Sequence, residues 1–505
     1  MCLQTFFPTH RGSFTDGPVG NQRHRSPFND ERLYKRFKQL QLLFRHTSGY
    51  RLTDLSDDRA EQVAADRFLN NPRVGLGELI YRATTIEPAM VRGRSYLTYL
   101  DAVVINVALS ASGRPELLQT LGCIDNQGVK PGYTAMPAVV VDRESKMTIG
   151  VSDMVIHQRP VHHPDPEQNK RLRAQRAHLA YEDKESSSWA IAVTNTMDQL
   201  WAAEQVCFVC DQGSDTFEFY EYFTKWTNAE FILRAKTNRE VQLYVHGPRQ
   251  RLEQVFGQQA VVASKRQFII GLDHFSKTAG KQRRRLGRIA QLDLRYWTAW
   301  VCPPATNDGP NGVDESRALA VTYVDVCEAA TTVPPGESPI HWRLVTNGSV
   351  VSPADAWQVV ADYASRWTIE QLFRILKLDG LNLEKSQLDN PLALQRLLVM
   401  SVSAAVRVQQ LVQLRQGDHE VALSTLFDAV ECEVLTKLNR QLEGKTAKLS
   451  NPHPPQSAAF GSWVVARLGG WSGYASEKPP GYERMMRGYI RLMELVEFYP
   501  ILNGS

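Results

Sequence analysis

Long hydrophobic runs are missing from this chain of 505 residues. No apolar stretch reaches the roughly 18 residues that cross a bilayer, and the most apolar one, near residues 397–406, contains serines and is followed by Arg407. We therefore expect a buried helix there and no membrane partner. The first residues also lack a basic start followed by a long apolar run, so no secretory signal is predicted and a cytoplasmic location is expected.

Two further absences narrow the function classes. The seven cysteines have no framework spacing, which favours reduced thiols over a disulfide scaffold. A Gly-rich phosphate loop followed by Lys and Ser or Thr is also missing, which argues against a nucleoside triphosphatase. The 58 basic and 54 acidic residues leave a net charge of only +4, so overall charge does not identify a polyanionic partner.

The basic residues do gather locally. Three clusters stand out: Arg23 and Arg25; Lys170, Arg171, Arg173 and Arg176; and Lys281, Arg283, Arg284, Arg285 and Arg288. Any one of these clusters can be ordinary solvated surface. Three of them in one chain favour a phosphate-bearing partner, because neutralising a phosphate releases counterions.

The spacing of apolar residues changes along the chain. Helical spacing predicts helices at residues 30–43, capped by Asp30, and at 57–69. Short β-branched and aromatic runs then predict strands at 96–100, 138–141 and 205–210, with helices between them. The last of these strands is apolar on both faces, as in a central strand. This alternation indicates an α/β core.

The same patterns suggest three domains. We expect a helical N-terminal domain at 1–78, a core at 79–411 and a helical C-terminal domain at 412–505. Within the core, strand-like segments separated by loops rich in Gly, Pro and basic residues predict a β-rich insertion at about 231–345. After Pro353 the chain becomes strongly helical.

One predicted helix, running from residues 362–363 to Gly380, carries a polar stripe. Pro353 lies upstream, Gly380 can end the helix, and its interior has no Gly or Pro. Leu372 and Leu376 point toward a core, and four polar residues fall within about 60° of one another on another face. These four are Tyr363, Arg366, Glu370 and Lys377. An amphipathic surface helix with an Arg366–Glu370 pair would account for the same pattern.

The four-residue spacing resembles the Tyr-Arg-Glu-Lys signature of bacterial insertion-sequence transposases. These are DDE enzymes that excise DNA by a cut-and-paste reaction through hairpins, and in them the Glu is catalytic and its neighbours bind phosphate. The family also places a second catalytic Asp after a buried strand, and Asp211 in the segment Cys210-Asp211-Gln212-Gly213-Ser214-Asp215 is similar to that element. Asp215 is then assigned to the turn.

The first Asp of the family pattern is matched by Asp101. It follows the predicted strand at 96–100, but Ala102 and Val103 stand where the family usually has threonines. Asn106 is an alternative for this position. Two other segments are similar to the family: Trp342 begins a strand whose Trp stacks on a flipped base, although a core Trp is equally consistent, and the region from 466 to 491 resembles a final helical region implying a dimer contact.

The resemblance implies a ribonuclease-H-like catalytic core with a β-rich insertion, flanked by helical domains. In it Asp101, Asp211 and Glu370 would bind two Mg²⁺ ions, with Mn²⁺ able to substitute. The implied DNA-binding residues are Tyr363, Arg366, Lys377, Trp342, Arg283, Arg284 and Arg285.

The implied partners are double-stranded DNA, both transposon ends and target, and a second copy of the chain. The implied location is the bacterial cytoplasm, at the nucleoid. The expected activity is cleavage at transposon ends through a hairpin, followed by joining of the 3′ ends to target DNA. A catalytically impaired DNA-binding regulator and a stand-alone nuclease with the same core are the alternatives, and the altered Asp101 segment favours the first of them.

Overall fold

A computed structural model describes the chain at residues 30–46, 51–56, 58–86, 88–107, 120–122, 124, 130–159, 165, 167–168, 171, 174–175, 181, 184–269, 273–276, 281–284, 287–303, 317–377, 381, 383–474 and 476–502. Both predicted N-terminal helices are confirmed. The first begins after Asp30, whose carboxylate accepts from the amide of Arg32 at 2.9 Å, and the second after Asp58, whose carboxylate accepts from Ala60.

The described helices, in chain order, are α1 (Glu31–His46), α2 (Arg59–Leu69), α3 (Leu76–Ala83), α4 (Pro88–Val91), α5 (Ser187–Gln199), α6 (Phe217–Tyr222), α7 (Leu252–Gln258), α8 (Pro353–Ala364), α9 (Trp367–Lys377), α10 (Pro391–Leu414), α11 (Leu423–Leu426), α12 (Ala429–Leu442), α13 (Ala458–Leu468) and α14 (Tyr482–Leu502). The described strands are β1 (Ser95–Leu100), β2 (Val103–Asn106), β3 (Gly132–Asp142), β4 (Thr148–His157), β5 (Gln205–Cys210), β6 (Ala229–Arg234), β7 (Glu240–Gln242), β8 (Gln250–Arg251), β9 (Ala263–Ile269), β10 (Asp273–Ser276), β11 (Lys281–Arg284), β12 (Arg288–Val301), β13 (Leu319–Glu328) and β14 (His341–Thr346).

Twelve of the described strands form one mixed sheet, which confirms the expected α/β class. Along one part of it the order is β4, β3, β1, β5, β6. Strand β3 runs antiparallel to both of its neighbours, β4 and β1. Strands β1, β5 and β6 run parallel to one another. Strand β5 is central and, as its apolar sequence predicts, buried from Val206 to Cys210.

The β-rich segment continues this sheet. Strand β14 pairs with β6, and the order then runs through β13, β12, β7 and β8, with β9 alongside β12. Strands β9, β12 and β13 all lie within the segment predicted to be β-rich, at about 231–345. Only β10 and β11 form a separate two-stranded sheet, and Arg283 and Arg284 lie on β11. Arg285 lies outside the described residues.

The apolar segment near residues 397–406 forms the middle of α10, as predicted. This is the one helix among the described residues that is long and apolar enough to cross a membrane, with a mean hydropathy of 1.4. However, 78% of its apolar stretch is buried within the protein. Helices α1, α2, α3, α13 and α14 all pack against it, so α10 acts as the axis of the helical core.

Helices α13 and α14 cross with their backbones in contact. A β-carbon on Gly488 would overlap the carbonyl oxygen of Val465, and one on Gly469 would overlap the carbonyl oxygen of Arg484. Both obstacles are backbone atoms and cannot rotate away. Glycine is therefore required at these two positions by the crossing itself.

We expect Gly488→Ala to lower the free energy of unfolding by ~1–3 kcal/mol, the usual cost of overpacking. The matched control is Gly257→Ala in α7, where an added β-carbon meets no atom within 4 Å. That change should be neutral or slightly stabilising, because alanine favours helix. Thermal unfolding measures both variants, and equal melting temperatures would contradict the close crossing.

Candidate active site

Two aspartates lie side by side at one edge of the sheet. Strands β1 and β5 are parallel, and their register pairs Leu100 with Cys210. Asp101 and Asp211 are the next residues on each strand, so both follow strand ends at the same edge. The Asp211 carboxylate accepts a hydrogen bond from the amide of Gly213 at 2.7 Å, which fixes the turn after β5.

Asp101 occupies an interruption between two collinear strands. Leu100 pairs with Ala138 and Val103 with Ala135 on the same partner strand, β3, so the register is unchanged across the gap. The gap lies opposite Pro137, a residue without an amide hydrogen to donate. The Asp101 carboxylate instead accepts from the amide of Ala102 at 2.8 Å. Its side chain is 16% exposed.

The single helix predicted from residue 362 to Gly380 is wrong. The chain forms two helices, α8 and α9, with Ser365 and Arg366 in a turn between them. The Ser365 hydroxyl donates to the carbonyl of Asp362 at 2.6 Å and accepts from the Tyr99 hydroxyl at 2.8 Å. Side-chain bonding to the backbone competes with helical bonding, and here it ends α8. Gly380, the predicted end, lies outside the described residues.

Ser365 and Asp362 are positioning residues that the sequence reasoning missed. Asp362 is fully buried, and its two carboxylate oxygens bind Arg143 at 2.9 Å and Lys146 at 2.7 Å. These partners lie in the turn between β3 and β4, so the end of α8 is held by the sheet. The available signal was an aspartate among the buried positions of a helix, beside Val359 and Tyr363.

The turn brings Arg366 to the edge of the sheet where Asp101 and Asp211 lie. Its guanidinium forms an ion pair with Asp101 and lies 3.8 Å from the Glu370 carboxylate. Burial raises the pKa of Asp101 to about 6; Arg366 works in the opposite direction, and the negative charges of Asp211 and Glu370 add to the rise. The structure thus brings the three predicted carboxylates within electrostatic range of one another, with a guanidinium among them.

These residues fit a divalent cation by their chemistry. Carboxylate oxygens are the ligands that Mg²⁺ prefers, and the repulsion acting on Asp101 is the kind that a cation relieves. Within the described ranges, however, no group of three or more His, Cys, Asp or Glu side chains is arranged to hold a metal ion. Arg366 supplies the positive charge at Asp101 instead.

Lys377 is engaged at the far end of α9. Its ammonium lies 3.1 Å from the carboxylate of Glu384, which also accepts from the backbone amide of Asn106 at 3.1 Å. Lys377 therefore links the end of the helix to β2. Asn106, the alternative to Asp101, pairs with Gly132 on β3. It lies five residues after Asp101, and Asp101 is the residue beside Asp211.

Trp342 and Tyr363 are in contact. Their ring centroids are 5.6 Å apart at an interplanar angle of 68°, and the Arg366 guanidinium lies 5.8 Å from the Tyr363 ring centroid. Strand β14 runs antiparallel to β6, so Trp342, near its start, lies toward the edge where β5 and β6 end. Trp342 is half-buried against the core, and Tyr363 is buried, which raises the pKa of its hydroxyl.

Two residues named in the sequence analysis have structural partners. Arg288, from the third basic cluster, is half-buried and pairs with Glu328 and Glu337, each at 2.7 Å. Asp215 is more than a turn residue: it is buried, pairs with Arg239 and accepts from the hydroxyl of Tyr220 at 2.5 Å. Both side chains are therefore engaged in ion pairs within the protein.

The raised pKa of Asp101 predicts a pH dependence of stability. In the metal-free protein the folded state holds a proton on Asp101 that the unfolded state has released, so stability falls as pH rises from about 4 to about 6. Asp101→Asn removes this slope. Loss of the Arg366 ion pair changes the free energy of unfolding by the same amount at every pH tested, because a guanidinium stays charged throughout this range.

Denaturant unfolding in EDTA at about pH 5 and about pH 7.5 tests this, with stability shifting in favour of Asp101→Asn at the higher pH. Asp355→Asn is the control. Hydrogen bonds at the start of α8 lower the pKa of Asp355, so its contribution is constant over this interval. An equal pH slope in Asp101→Asn and the wild type would contradict the predicted burial of Asp101.

A comparison with known families bears on this edge of the sheet. Residues 159–407 match the model of a transposase DDE domain. The matched range contains Asp211 and Glu370, with Arg366, Lys377 and Trp342, and it begins after Asp101. This similarity covers 249 of the 505 residues and supports a DDE transposase family for the chain.

Proposed function

We propose that this protein is a DNA transposase that cuts transposon ends through a hairpin intermediate and joins the 3′ ends to target DNA. One observation carries the proposal: the β1–β5 register sets Asp101 beside Asp211 at the edge that Glu370 faces. Asp211 and Glu370 lie within the range that matches a transposase DDE domain, and Asp101 lies before it. The proposed catalytic carboxylates are Asp101, Asp211 and Glu370.

The strand order supports a ribonuclease-H-like core. Strands β4, β3 and β1 are antiparallel, and β1, β5 and β6 are parallel, so two of the three carboxylates follow neighbouring parallel strands. Rigid strands suit this task, because catalytic groups must be held to within about 0.5 Å of the working geometry. Glu370 comes from a helix across the edge.

Asp101, Asp211 and Glu370 would hold Mg²⁺, or Mn²⁺ in its place. The bound ions would polarise the scissile phosphate and make the attacking water or 3′-hydroxyl more nucleophilic. The remaining work belongs to the side chains. Arg366 would transfer from Asp101 to the phosphate beside the scissile bond, because phosphate offers the same bidentate acceptor pair as carboxylate.

Tyr363 and Trp342 would orient the strand. Their ring contact places an aromatic surface beside Arg366, which is the arrangement needed to stack an unpaired base next to a held phosphate. Lys377 would bind a phosphate further along by exchanging it for Glu384. Arg283, Arg284 and Arg285 are proposed to contact the DNA backbone.

The terminal regions would serve binding and assembly. Arg32, Lys35 and Lys38 are exposed on α1, which supports a role of the N-terminal helices in holding transposon ends. Leu495 and Phe498 are exposed on α14, which supports a homodimer contact through the C-terminal region. Action on chromosomal DNA would place the protein at the bacterial nucleoid in the cytoplasm.

A DNA-binding regulator is the second candidate. The specific observation in its favour is that Arg366 occupies Asp101 and that Ala102 and Val103 replace the threonines of the family. Retention of all three carboxylates favours the enzyme. A stand-alone nuclease is distinguished by its products, since it would cut without paired ends and join nothing.

The deciding experiment uses a supercoiled plasmid carrying the inverted repeats found by sequencing the DNA that flanks the gene. In Mg²⁺ or Mn²⁺ we expect nicks at the ends, hairpins and joined products. Binding with no nicking even in Mn²⁺ would overturn the enzyme in favour of the regulator. Cutting that is indifferent to paired ends would favour the nuclease.

In the same assay Glu370→Gln should reduce cleavage by at least ~10³-fold, because it removes one charged ligand of the catalytic edge. End binding should stay within about twofold in a mobility-shift assay, since Glu370 holds no phosphate. Glu253→Gln is a suitable control, because Glu253 is also a helical glutamate paired with an arginine, lying on α7 and bonded to Arg343. Loss of binding in Glu370→Gln would reassign this residue to a structural role.

Trp342→Ala should impair hairpin formation more than the first nick, because only the hairpin step needs the strand to bend with a base unstacked. Trp357→Ala is the matched control, since Trp357 is also half-buried against the same core. A time course on pre-nicked and intact ends separates the two steps. Equal losses at both steps would assign Trp342 to the core.

A further inference from the structure

A pocket of about 280 Å³ opens beside the two aspartate turns. Its wall includes Ala102, the residue after Asp101, and Gly213, whose amide donates to Asp211. The pocket lies over β3 and β4, whereas Trp342 lies on β14. In the strand order these are opposite sides of the catalytic edge.

The inner surface of the pocket is apolar. Met136 and Trp189 are buried, and Val155 between them is half-buried. The turn after β5 lies close to the indole, since a β-carbon on Gly213 would come within 3.4 Å of Trp189 Cζ2. A flat apolar group could be enclosed between this turn and the sheet.

Among the described residues, the rim of the pocket is polar and includes no Lys or Arg side chain. Glu185 lines it, and Arg159 binds both carboxylate oxygens of Glu185, at 3.0 and 3.2 Å. His157 lies 3.9 Å from the same carboxylate. Thr134 and Ser188 add hydroxyl groups. Phosphate is therefore disfavoured here, whereas a group with hydrogen-bonding edges and apolar faces is favoured.

A DNA strand offers phosphates, sugars and bases, and only the bases are flat and apolar on both faces with polar edges. We propose that this pocket holds one unstacked nucleobase of the DNA strand that crosses Asp101 and Asp211. The inference rests on the proposed function and deepens it. The pocket is close to the lower end of the ~300–1,000 Å³ typical of small-molecule sites, which suits a single base.

The consequence is a strand splayed on both sides of the carboxylates. One base would enter this pocket on the β3–β4 side, and another would meet Trp342 on the β14 side. Holding the bases on either side would expose the phosphate between them, and positioning of this kind lowers the barrier to cleavage.

The test measures binding alone, with Ca²⁺ replacing Mg²⁺. The probes are a short duplex with a single-stranded 3′ tail of thymidines and the same duplex with a tail of abasic sites. Both tails carry the same phosphates, so their difference in Kd reports the bases. We expect the wild type to prefer the thymidine tail by about tenfold, the scale of one or two stacked bases.

Val155→Phe fills the pocket and should lower this preference, to what the base at Trp342 contributes, while leaving abasic-tail binding unchanged. Ala102→Leu, at the exposed mouth, gives a second test if Val155→Phe does not fold. Val262→Phe, the same change at an exposed valine beside β9, should keep the tenfold preference.

If the preference for the thymidine tail is unchanged in both pocket variants, or is lost only in Trp342→Ala, the proposal is overturned and the base is assigned to the tryptophan. No preference in the wild type would overturn it as well. Cleavage in Mg²⁺ is measured separately on the plasmid, so a transposase without this pocket role and a protein without transposase activity give different results.

Discussion

Three carboxylates can be gathered at one partly buried edge only if something offsets their repulsion, and in this protein the Arg366 guanidinium does so. Burial and the neighbouring charges raise the pKa of Asp101, and the ion pair with Arg366 opposes that rise. An unpaired buried charge costs several kcal/mol, so the guanidinium must be held where it is needed. Residues from β1 and from the turn after β3 hold the segment that contains Arg366 in this position.

The support for Arg366 comes from distant parts of the chain. Tyr99, two residues before Asp101, hydrogen-bonds Ser365 at the break between α8 and α9, and Asp362 is held by Arg143 and Lys146 from the turn after β3. A change at this buried network would move Arg366 and Glu370 together. Strand β1, which is followed by Asp101, thus also helps to position the arginine through Tyr99.

Features set by short stretches of sequence were predicted correctly. Apolar runs followed by an aspartate identified β1 and β5. The N-terminal cap at Asp30 and the buried helix α10 also followed from local patterns. The break after Ala364 was not predictable in this way. The Ser365 hydroxyl that bonds Asp362 at this break also accepts from the Tyr99 hydroxyl, 266 residues away in sequence, and only the fold brings these two residues together. Lys377 and Arg288 likewise have partners that only the fold selects.

The continuous sheet fixes the distance between Trp342 and the Asp211 strand independently of the length of chain that connects β6 to β14. Strand β14 is fixed by its hydrogen bonds to β6, which is itself fixed to β5, so Trp342 lies two strand spacings from the Asp211 strand, or about 10 Å. The chain between Arg234 and His341 can lengthen or shorten without altering that interval, because the ladder and not the connection sets it. Chains with the same sheet can therefore differ in the length of this segment while the distance between the Asp211 strand and Trp342 stays the same.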